Sequence, residues 1–192
     1  MSHASHELIV VRHGPTEWSA SGQHTGRTDL PLTGHGEAEA SALTARLGRR
    51  RFALVLTSPR QRARRTAALA GFADAVVDDD LAEWDYGDDE GRTSADIRVE
   101  RPGWTIWRDG PKNGERLNDV AARADRAIAR VRAVDGDVLA FAHGHLLDIL
   151  AARWVGLSSE CGRAFYLDPA SVSVLGWHAD QPVVKMWNSD GR

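Results

Sequence analysis

The sequence predicts an α/β fold of three layers, in which a mostly parallel central sheet is flanked by helices. Strand-sized apolar runs alternate with segments of helical periodicity along the chain. Several of these runs are continuously apolar and β-branched, as strands buried on both faces of a parallel sheet are. A length of 192 residues suits one domain. We therefore predict a single domain over residues 1–192, with residues 1–6 disordered.

The first strand–helix unit begins the domain. Residues 7–12 read E-L-I-V-V-R, which is typical of a buried strand, and a polar, Gly-rich loop follows over residues 13–31. Thr33 suits the N-cap of a helix over residues 34–50. On the buried side of this helix we expect Ala38, Ala42, Ala45 and Leu47.

The second unit starts with a buried strand at residues 52–57. Ser58 suits the N-cap, and Pro59 the first position, of a helix over residues 59–70. A short strand is predicted at residues 75–77.

The second half of the chain opens with a long segment, residues 78–118, which we predict to be irregular because it is rich in Gly, Asp and Trp. Loops of this length inside a compact domain usually serve as lids or binding loops. Residues 84–117 are therefore predicted to form a lid-like segment that sets substrate specificity. The remaining predicted elements are a helix at 119–134, a strand at 137–142, a helix at 145–155 and closing strands at 172–177 and 183–187.

Composition narrows the classes of function. The formal net charge of −3 at pH 7 argues against general nucleic-acid binding. No apolar run approaches the length of a membrane-spanning helix, and the first residues do not have the pattern of a signal peptide. Cys161 is the single cysteine, which excludes an internal disulfide and fits a reducing compartment. These features predict a cytoplasmic protein that binds neither nucleic acid nor membrane.

Three of the predicted strands end in groups suited to bind phosphate. The carboxyl ends of neighbouring parallel strands share one edge of the sheet, where ligands bind. Arginine holds phosphoryl oxygens bidentately, helix N-termini offer free N–H groups, and a neutral imidazole can attack phosphorus to form phosphohistidine. The three ends are Arg12-His13-Gly14, then Thr57-Ser58-Pro59 followed by Arg60, Arg62, Arg64 and Arg65, and finally His143-Gly144-His145.

Each of these groups, taken alone, also has a purely structural explanation. His13 could be a buried core histidine, and the arginines of residues 60–65 could form a solvated helix face from which one or two side chains reach the site. His143 and His145 alternate on a segment read as extended, so we expect at most one of them in the site. No third ligand at a fitting spacing accompanies these two histidines, so no metal site is predicted.

Together, the motifs resemble those of the histidine phosphatase superfamily, in its phosphoglycerate mutase-like branch, and the resemblance spans nearly the whole chain. The family patterns are R-H-G-E-T, T-S-P-L-x-R-A, L-x-E-x-x-F/Y-G-x-x-E-G and H-G. The residues that correspond to these four patterns are Arg12-His13-Gly14-Pro15-Thr16, Thr57-Ser58-Pro59-x-x-Arg62-Ala63, Leu81-x-Glu83-x-x-Tyr86-Gly87 and Ala142-His143-Gly144. A further family block, between the first and second patterns, is resembled by His24-Thr25-Gly26 and Leu30-Pro31-Leu32-Thr33.

The resemblance implies a role for each corresponding residue. It makes His13 the nucleophile, and Glu83 the general acid for the leaving oxygen and then the base that activates water. Arg12, Arg62 and a positively charged His143 would hold the phosphoryl oxygens, so that no metal and no other cofactor is implied. The residues that would line the substrate pocket are Ser19, Thr25, Gly26, Trp84, Tyr86 and Gly144.

Departures from the family pattern bear on the substrate. Pro15 replaces a Glu or Gln, Ser19 stands where the mutases have a phosphate-contacting Asn, and Asp148 replaces a frequent Arg, which would weaken attraction for a highly anionic substrate. The segment 83–118 is short and acidic, unlike the longer and more basic closing segments of the mutases.

We therefore predict a phosphatase of small phosphorylated metabolites, most similar to small acid phosphatases and sugar-bisphosphatases. Mutase-type phosphoryl transfer and non-catalytic binding of a phosphorylated ligand stay open as alternatives. The closing strands, residues 172–187, could supply an edge for a homodimer.

Overall fold

A computed structural model describes residues 6–48 and 50–190 of the chain. The disorder predicted for residues 1–5 lies outside these ranges, whereas His6 is placed, with its Nε2 3.0 Å from Asp135 Oδ1. Within the described ranges, six strands form one sheet. They are β1 Leu8–Arg12, β2 Leu54–Thr57, β3 Val76–Val77, β4 Val138–Ala142, β5 Val172–His178 and β6 Gln181–Ser189.

The sheet has the order β3-β2-β4-β1-β5-β6 and is mostly parallel, as predicted. β4 runs parallel to both β1 and β2, and β2 to β3, whereas β5 is antiparallel to β1 and β6. Arg12 lies opposite Ala142, and the backbone N–H of His13 donates to the Ala142 carbonyl at 3.0 Å. Ser58 N–H donates to the Phe141 carbonyl at 2.9 Å. The carboxyl ends of β1, β4 and β2 therefore lie side by side.

Helices cover both faces of the sheet. Alternate residues of β1 point to opposite sides: Leu8 and Val10 belong to one hydrophobic core, and Ile9 and Val11 to the other. None of the helices in the described part of the chain is long and apolar enough to cross a membrane. The α-helices are α1 Glu17–Ser21, α2 Gly34–Leu47, α3 Gln61–Leu69, α4 Ser94–Glu100, α5 Ile106–Asp109, α6 Leu117–Arg132 and α7 Gly144–Trp154, and the 3-10 helices are Asp79–Leu81, Gly87–Asp89 and Ser159–Ala164.

The α2 helix has the predicted cap but a different buried face. Thr33 Oγ1 accepts the N–H of Gly36 at 3.0 Å. Residues 36, 40, 43 and 47 are buried, whereas three of the four expected core positions, Ala38, Ala42 and Ala45, are exposed. The two leucines at positions 43 and 47 bury more apolar area than alanines can, so they determine which side of the helix faces the sheet.

Helix α3 begins two residues later than predicted, because Arg60 and not Ser58 occupies its N-cap. The prediction for Ser58 was wrong. Its hydroxyl is fully buried, lies 2.7 Å from His143 Nε2 and accepts the backbone N–H of Arg60 at 3.3 Å.

The prediction that residues 78–118 are irregular was also wrong. The segment contains α4 and α5 and two of the 3-10 helices. Thr93 and Thr105 cap α4 and α5 through their side-chain oxygens, a signal present in the sequence. Most of its large apolar side chains are packed into the domain core rather than held above it, although Val99 is exposed. The buried ones are Leu81, Trp84, Tyr86, Ile97, Trp104 and Ile106.

Candidate active site

A cavity of about 350 Å³ opens at the carboxyl edge of the parallel strands. It is bounded by the end of β1, the loop around α1, the segment after β3 and the first turns of α7. Of the predicted site residues, Arg12, His13, Ser19, Thr25, Glu83, Tyr86 and Gly144 line it. Further lining residues, which were not predicted as part of the site, are Gly22, Gln23, His24, His145, Asp148, Tyr166 and Leu167.

His13 follows directly on β1 and its side chain is almost completely buried. Its Nδ1 lies 2.7 Å from the carbonyl of Gly14. Because a carbonyl can only accept, Nδ1 carries the proton and the lone pair of the neutral ring is on Nε2. Burial, reinforced by the charges of Arg62 and Arg12, holds the pKa of His13 well below its usual value. The ring is therefore neutral at pH 7.

Two guanidinium groups flank this histidine. Arg62 is fully buried on α3 and donates to the carbonyls of Thr25 at 2.8 Å, Thr28 at 3.0 Å and Gly26 at 3.1 Å. Arg12 Nη1 donates to the backbone carbonyl of Leu167. The buried Nε of each arginine has no hydrogen-bond partner within the described residues. These N–H groups remain available to an anion, and backbone carbonyls fix the orientation of both side chains.

His143 occupies the N-cap position of α7 without a capping hydrogen bond from its side chain. It is fully buried, with its ring centroid 5.1 Å from that of His13. Its Nε2 is paired with Ser58 Oγ, whereas Nδ1 has no partner among the described residues. Burial and then the charge of Arg62 hold the pKa of His143 well below its usual value. The imidazole is therefore neutral in the free protein, in contrast to the positive charge that the resemblance implied.

Glu83 is held at the N-terminus of α7. Its Oε1 accepts the backbone N–H groups of Trp84 and Leu146, both at 2.9 Å, and Oε2 accepts that of His145 at 3.2 Å. Burial raises the pKa of this carboxyl, although these hydrogen bonds and the two arginines oppose the shift. Glu83 thus combines a fixed position with an increased affinity for a proton, as a general acid requires.

A group of rings lines the wall of the cavity beside Glu83. Tyr86 OH lies 2.6 Å from His145 Nδ1, and the ring of His24 is 4.7 Å from that of Tyr86. Burial lowers the pKa of His24 and of His145 to about 4 in each case. Both imidazoles are therefore uncharged at pH 7.

At most one of the two C-terminal histidines was expected in the site, on the assumption of an extended segment. The segment is not extended, because α7 already begins at Gly144. His145, in the first helical turn, lines the cavity, whereas His143 does not line it and has its ring centroid 5.1 Å from that of His13.

Trp84 and Gly26 do not line the cavity. The side chain of Trp84 is fully buried, and its indole N–H donates to the Glu115 carbonyl at 2.7 Å. Gly26 acts through its backbone, because its carbonyl accepts from Arg62 and its N–H donates to Glu90 Oε1 at 2.7 Å. A Cβ at Gly26 would lie 2.3 Å from the Trp84 carbonyl oxygen, so only glycine fits there.

Within residues 6–48 and 50–190, no group of three or more His, Cys, Asp or Glu side chains is arranged to hold a metal ion. Independence from metals stays a prediction.

The model of the histidine phosphatase superfamily (branch 1) matches residues 8–190 of the chain. The chain belongs to this family. The solved structure of the protein encoded by an open reading frame of Mycobacterium tuberculosis superimposes on this histidine phosphatase with a TM-score of 0.93. The two sequences are 37% identical, and the match covers 97% of this chain and 99% of that one. The predicted fold class, three layers around a mostly parallel sheet, is confirmed.

Two relatives of this histidine phosphatase have named activities. Sedoheptulose 1,7-bisphosphatase of Saccharomyces cerevisiae is 43% identical, over 79% of this chain and 68% of that protein. An acid phosphatase of Mycobacterium tuberculosis is 39% identical, over 90% of this chain and 87% of that protein.

Some of the unpredicted lining residues had a signal in the sequence. His24 stands in one of the motifs that resemble the family, next to Thr25. Asp148 follows Gly144 by four residues, one helical turn, which places both on one face of α7. Tyr166 and Leu167, in the loop before β5, had no local signal, since only the tertiary fold brings them to the cavity.

Proposed function

We propose that this histidine phosphatase hydrolyses small phosphomonoesters, with sugar phosphates and bisphosphates among the candidates, through a phosphohistidine on His13. The observation that carries the proposal is the state of the His13 ring. Its proton is fixed on Nδ1 by the Gly14 carbonyl, its Nε2 lone pair is free, and two guanidiniums lie beside it. A neutral imidazole next to an anion-binding pair of arginines is suited to attack phosphorus.

In the first step, His13 Nε2 forms a bond to phosphorus and the bond between phosphorus and the ester oxygen breaks. The protonated carboxyl of Glu83 gives its proton to the departing oxygen, so that a neutral alcohol leaves. Arg12 and Arg62 stabilise the negative charge on the equatorial phosphoryl oxygens. Their buried, unpartnered Nε–H groups support this role.

In the second step, the carboxylate of Glu83 takes a proton from water, whose oxygen attacks phosphorus as the phosphorus–nitrogen bond breaks. Phosphate leaves and His13 returns to its neutral form. The neutral His143 can donate through Nδ1 to a phosphoryl oxygen, provided that Ser58 donates its hydroxyl proton to Nε2.

The relatives agree with this reaction class. One relative is named as an acid phosphatase and the other as a sedoheptulose 1,7-bisphosphatase, and their similarity extends over most of this chain.

Turnover of p-nitrophenyl phosphate, with and without EDTA, tests the proposal. We expect release of phosphate that EDTA leaves unchanged, and a loss of at least about 10³-fold in kcat for His13→Gln. An enzyme that is inactive without added metal, or a His13→Gln variant with full activity, would overturn it. Formation of an isomeric phosphate ester in place of free phosphate would support the mutase alternative.

The choice of Arg62 among the arginines of α3 has a built-in control. Arg62 is fully buried beside the cavity, whereas Arg64 on the same helix is exposed. We expect Arg62→Gln to lower kcat/KM by about 10²-fold or more and Arg64→Gln to leave it within about twofold. Equal effects of the two substitutions would contradict the assignment.

A further inference from the structure

The lining of the cavity is poor in positive charge. Arg62 lies close to His13 but does not line the cavity, and the ionisable side chains of the lining other than Arg12 are those of histidines, tyrosines, Glu83 and Asp148. Among the described residues that line the cavity, Arg12 is the only lysine or arginine. A second phosphate or a carboxylate on the substrate would therefore find no cation of its own.

Asp148 is a carboxyl group of the cavity lining that the proposed mechanism does not use. It lies on α7, is only 6% exposed and lines the cavity. Its buried Oδ1 has no hydrogen-bond partner within the described residues. A buried polar atom without a partner is unfavourable, so a ligand group that supplies the missing hydrogen bond gains affinity.

We propose that Asp148 makes this cavity selective for uncharged, hydroxyl-bearing leaving groups and against leaving groups that carry a second phosphate or a carboxylate. The inference rests on the proposed phosphatase function of the same site and narrows its substrates to monophosphates of neutral alcohols and polyols.

The ionisable groups that face Asp148 come from four parts of the fold. They are Glu83 after the first 3-10 helix, Arg12 at the end of β1, His145 on α7 and Tyr166 before β5. His145 and Tyr166 are uncharged at pH 7, because burial lowers the pKa of His145 to about 4 and the hydrogen bond that the Tyr166 hydroxyl donates to Asp168 raises the pKa of Tyr166. Arg12 is thus the cation that faces Asp148, whereas Glu83 is close to both Arg12 and Arg62.

Selectivity should depend on pH. Burial, and then the charge of Glu83, raise the pKa of Asp148 to about 8, against the opposing effect of Arg12. Near pH 7 the carboxyl is mostly protonated and can both donate to and accept from a substrate hydroxyl. Above pH 8 it becomes a carboxylate that repels an anionic leaving group, so the preference for neutral groups increases.

A pair of substrates isolates this effect. Glycerol 3-phosphate and 3-phosphoglycerate share a three-carbon chain with the same phosphate, and differ in a CH2OH against a carboxylate. We expect kcat/KM for glycerol 3-phosphate to exceed that for 3-phosphoglycerate by about tenfold at pH 7 and by about 100-fold at pH 9. In Asp148→Asn the ratio should no longer change between pH 7 and pH 9.

Asp135→Asn is the control variant, because the fully exposed side chain of Asp135 lies just before β4, at the opposite edge of the sheet. It should keep the wild-type ratio at both pH values. A wild-type protein that prefers 3-phosphoglycerate, or an Asp148→Asn variant that keeps the increase with pH, would overturn the proposal.

Binding separates this inference from the proposed function. Calorimetric titration of the His13→Gln variant with the same two compounds measures selectivity without turnover. Tighter binding of glycerol 3-phosphate supports the role of Asp148 even if the wild-type protein hydrolyses neither compound, a result that would refute the phosphatase function alone. Tighter binding of 3-phosphoglycerate would refute the selectivity.

Discussion

Replacement of Ser58 by alanine removes the one hydrogen bond that holds the ring of His143. The Oγ to Nε2 distance is 2.7 Å, and both side chains are fully buried. Nδ1 of the same ring already has no partner among the described residues. In Ser58→Ala, the buried imidazole would therefore have no hydrogen bond within the described residues.

The cost follows from this geometry. A buried polar group left without its partner costs about 1–3 kcal/mol. We expect Ser58→Ala to lower the free energy of unfolding by about 2 kcal/mol, which moves the urea midpoint down by roughly 1 M at an m-value of about 2 kcal/mol/M. Because the ring of His143 is no longer fixed beside His13, kcat should also fall, by about tenfold or more.

Ser171→Ala is the matched control. Ser171 is equally buried, at 1% exposure, but its hydroxyl has no hydrogen-bond partner within the described residues. Deleting an unsatisfied hydroxyl should change the free energy of unfolding by less than about 0.5 kcal/mol or increase it. Urea unfolding of the two variants beside wild type makes the comparison. Equal losses of stability in both would refute the reasoning, because burial and not the hydrogen bond would then decide the cost.

Three further predictions concern pH, the general acid and the loop beside His13. Four histidines of the site have lowered pKa values, so the unfolded chain, with histidine near pKa 6.5, binds more protons. Their stabilising effect is complete above pH 6.5, and we expect urea unfolding to show stability falling towards pH 4.5 by up to about 1.4 kcal/mol per pH unit for each histidine; a flat profile would count against neutral rings. Glu83→Gln should lower kcat by about 10²–10⁴-fold for an alkyl phosphate and by much less for dinitrophenyl phosphate, whose leaving group needs no proton; equal losses for both esters would exclude it as the general acid. In Gly14→Ala the new Cβ would lie 2.7 Å from the Gly36 carbonyl oxygen, whereas at Gly34 nothing lies within 4 Å. The first substitution should therefore reduce both stability and kcat and the second neither, as thermal unfolding and turnover would show; the reverse order would contradict the described packing.

The central strands of the sheet could be predicted from sequence because their burial on both faces leaves a run of apolar residues. All six strands of the described sheet were predicted, including the edge strands β3 and β6, which have no buried residue, and their observed ends differ from the predicted ones by at most two residues. The buried face of α2 could not be predicted, because alanines occur on both sides of the helix and only packing against the sheet selects Leu43 and Leu47. The two short helices within residues 78–118 could have been predicted in part, because their N-caps Thr93 and Thr105 are visible in the sequence.

Some parts of the site could also be predicted from sequence, and others could not. The groups at the ends of β1 and β4 could be located by their motifs, since parallel strands bring these ends together. The partner of Ser58 could not be predicted, because a hydroxyl before a helix suits an N-cap as well as a contact across the sheet. The protonation states of His143 and Asp148 also depend on burial, which the local sequence does not specify.

A phosphoryl group on His13 is the central claim, and mass spectrometry of the quenched enzyme tests it most directly. The protein is mixed with p-nitrophenyl phosphate and quenched within milliseconds in alkaline denaturant, in which phosphohistidine survives. The account predicts one added phosphoryl group on the peptide that contains His13, lost on brief acid treatment and absent from His13→Gln. Turnover without any such adduct, or an adduct on another side chain, would contradict it.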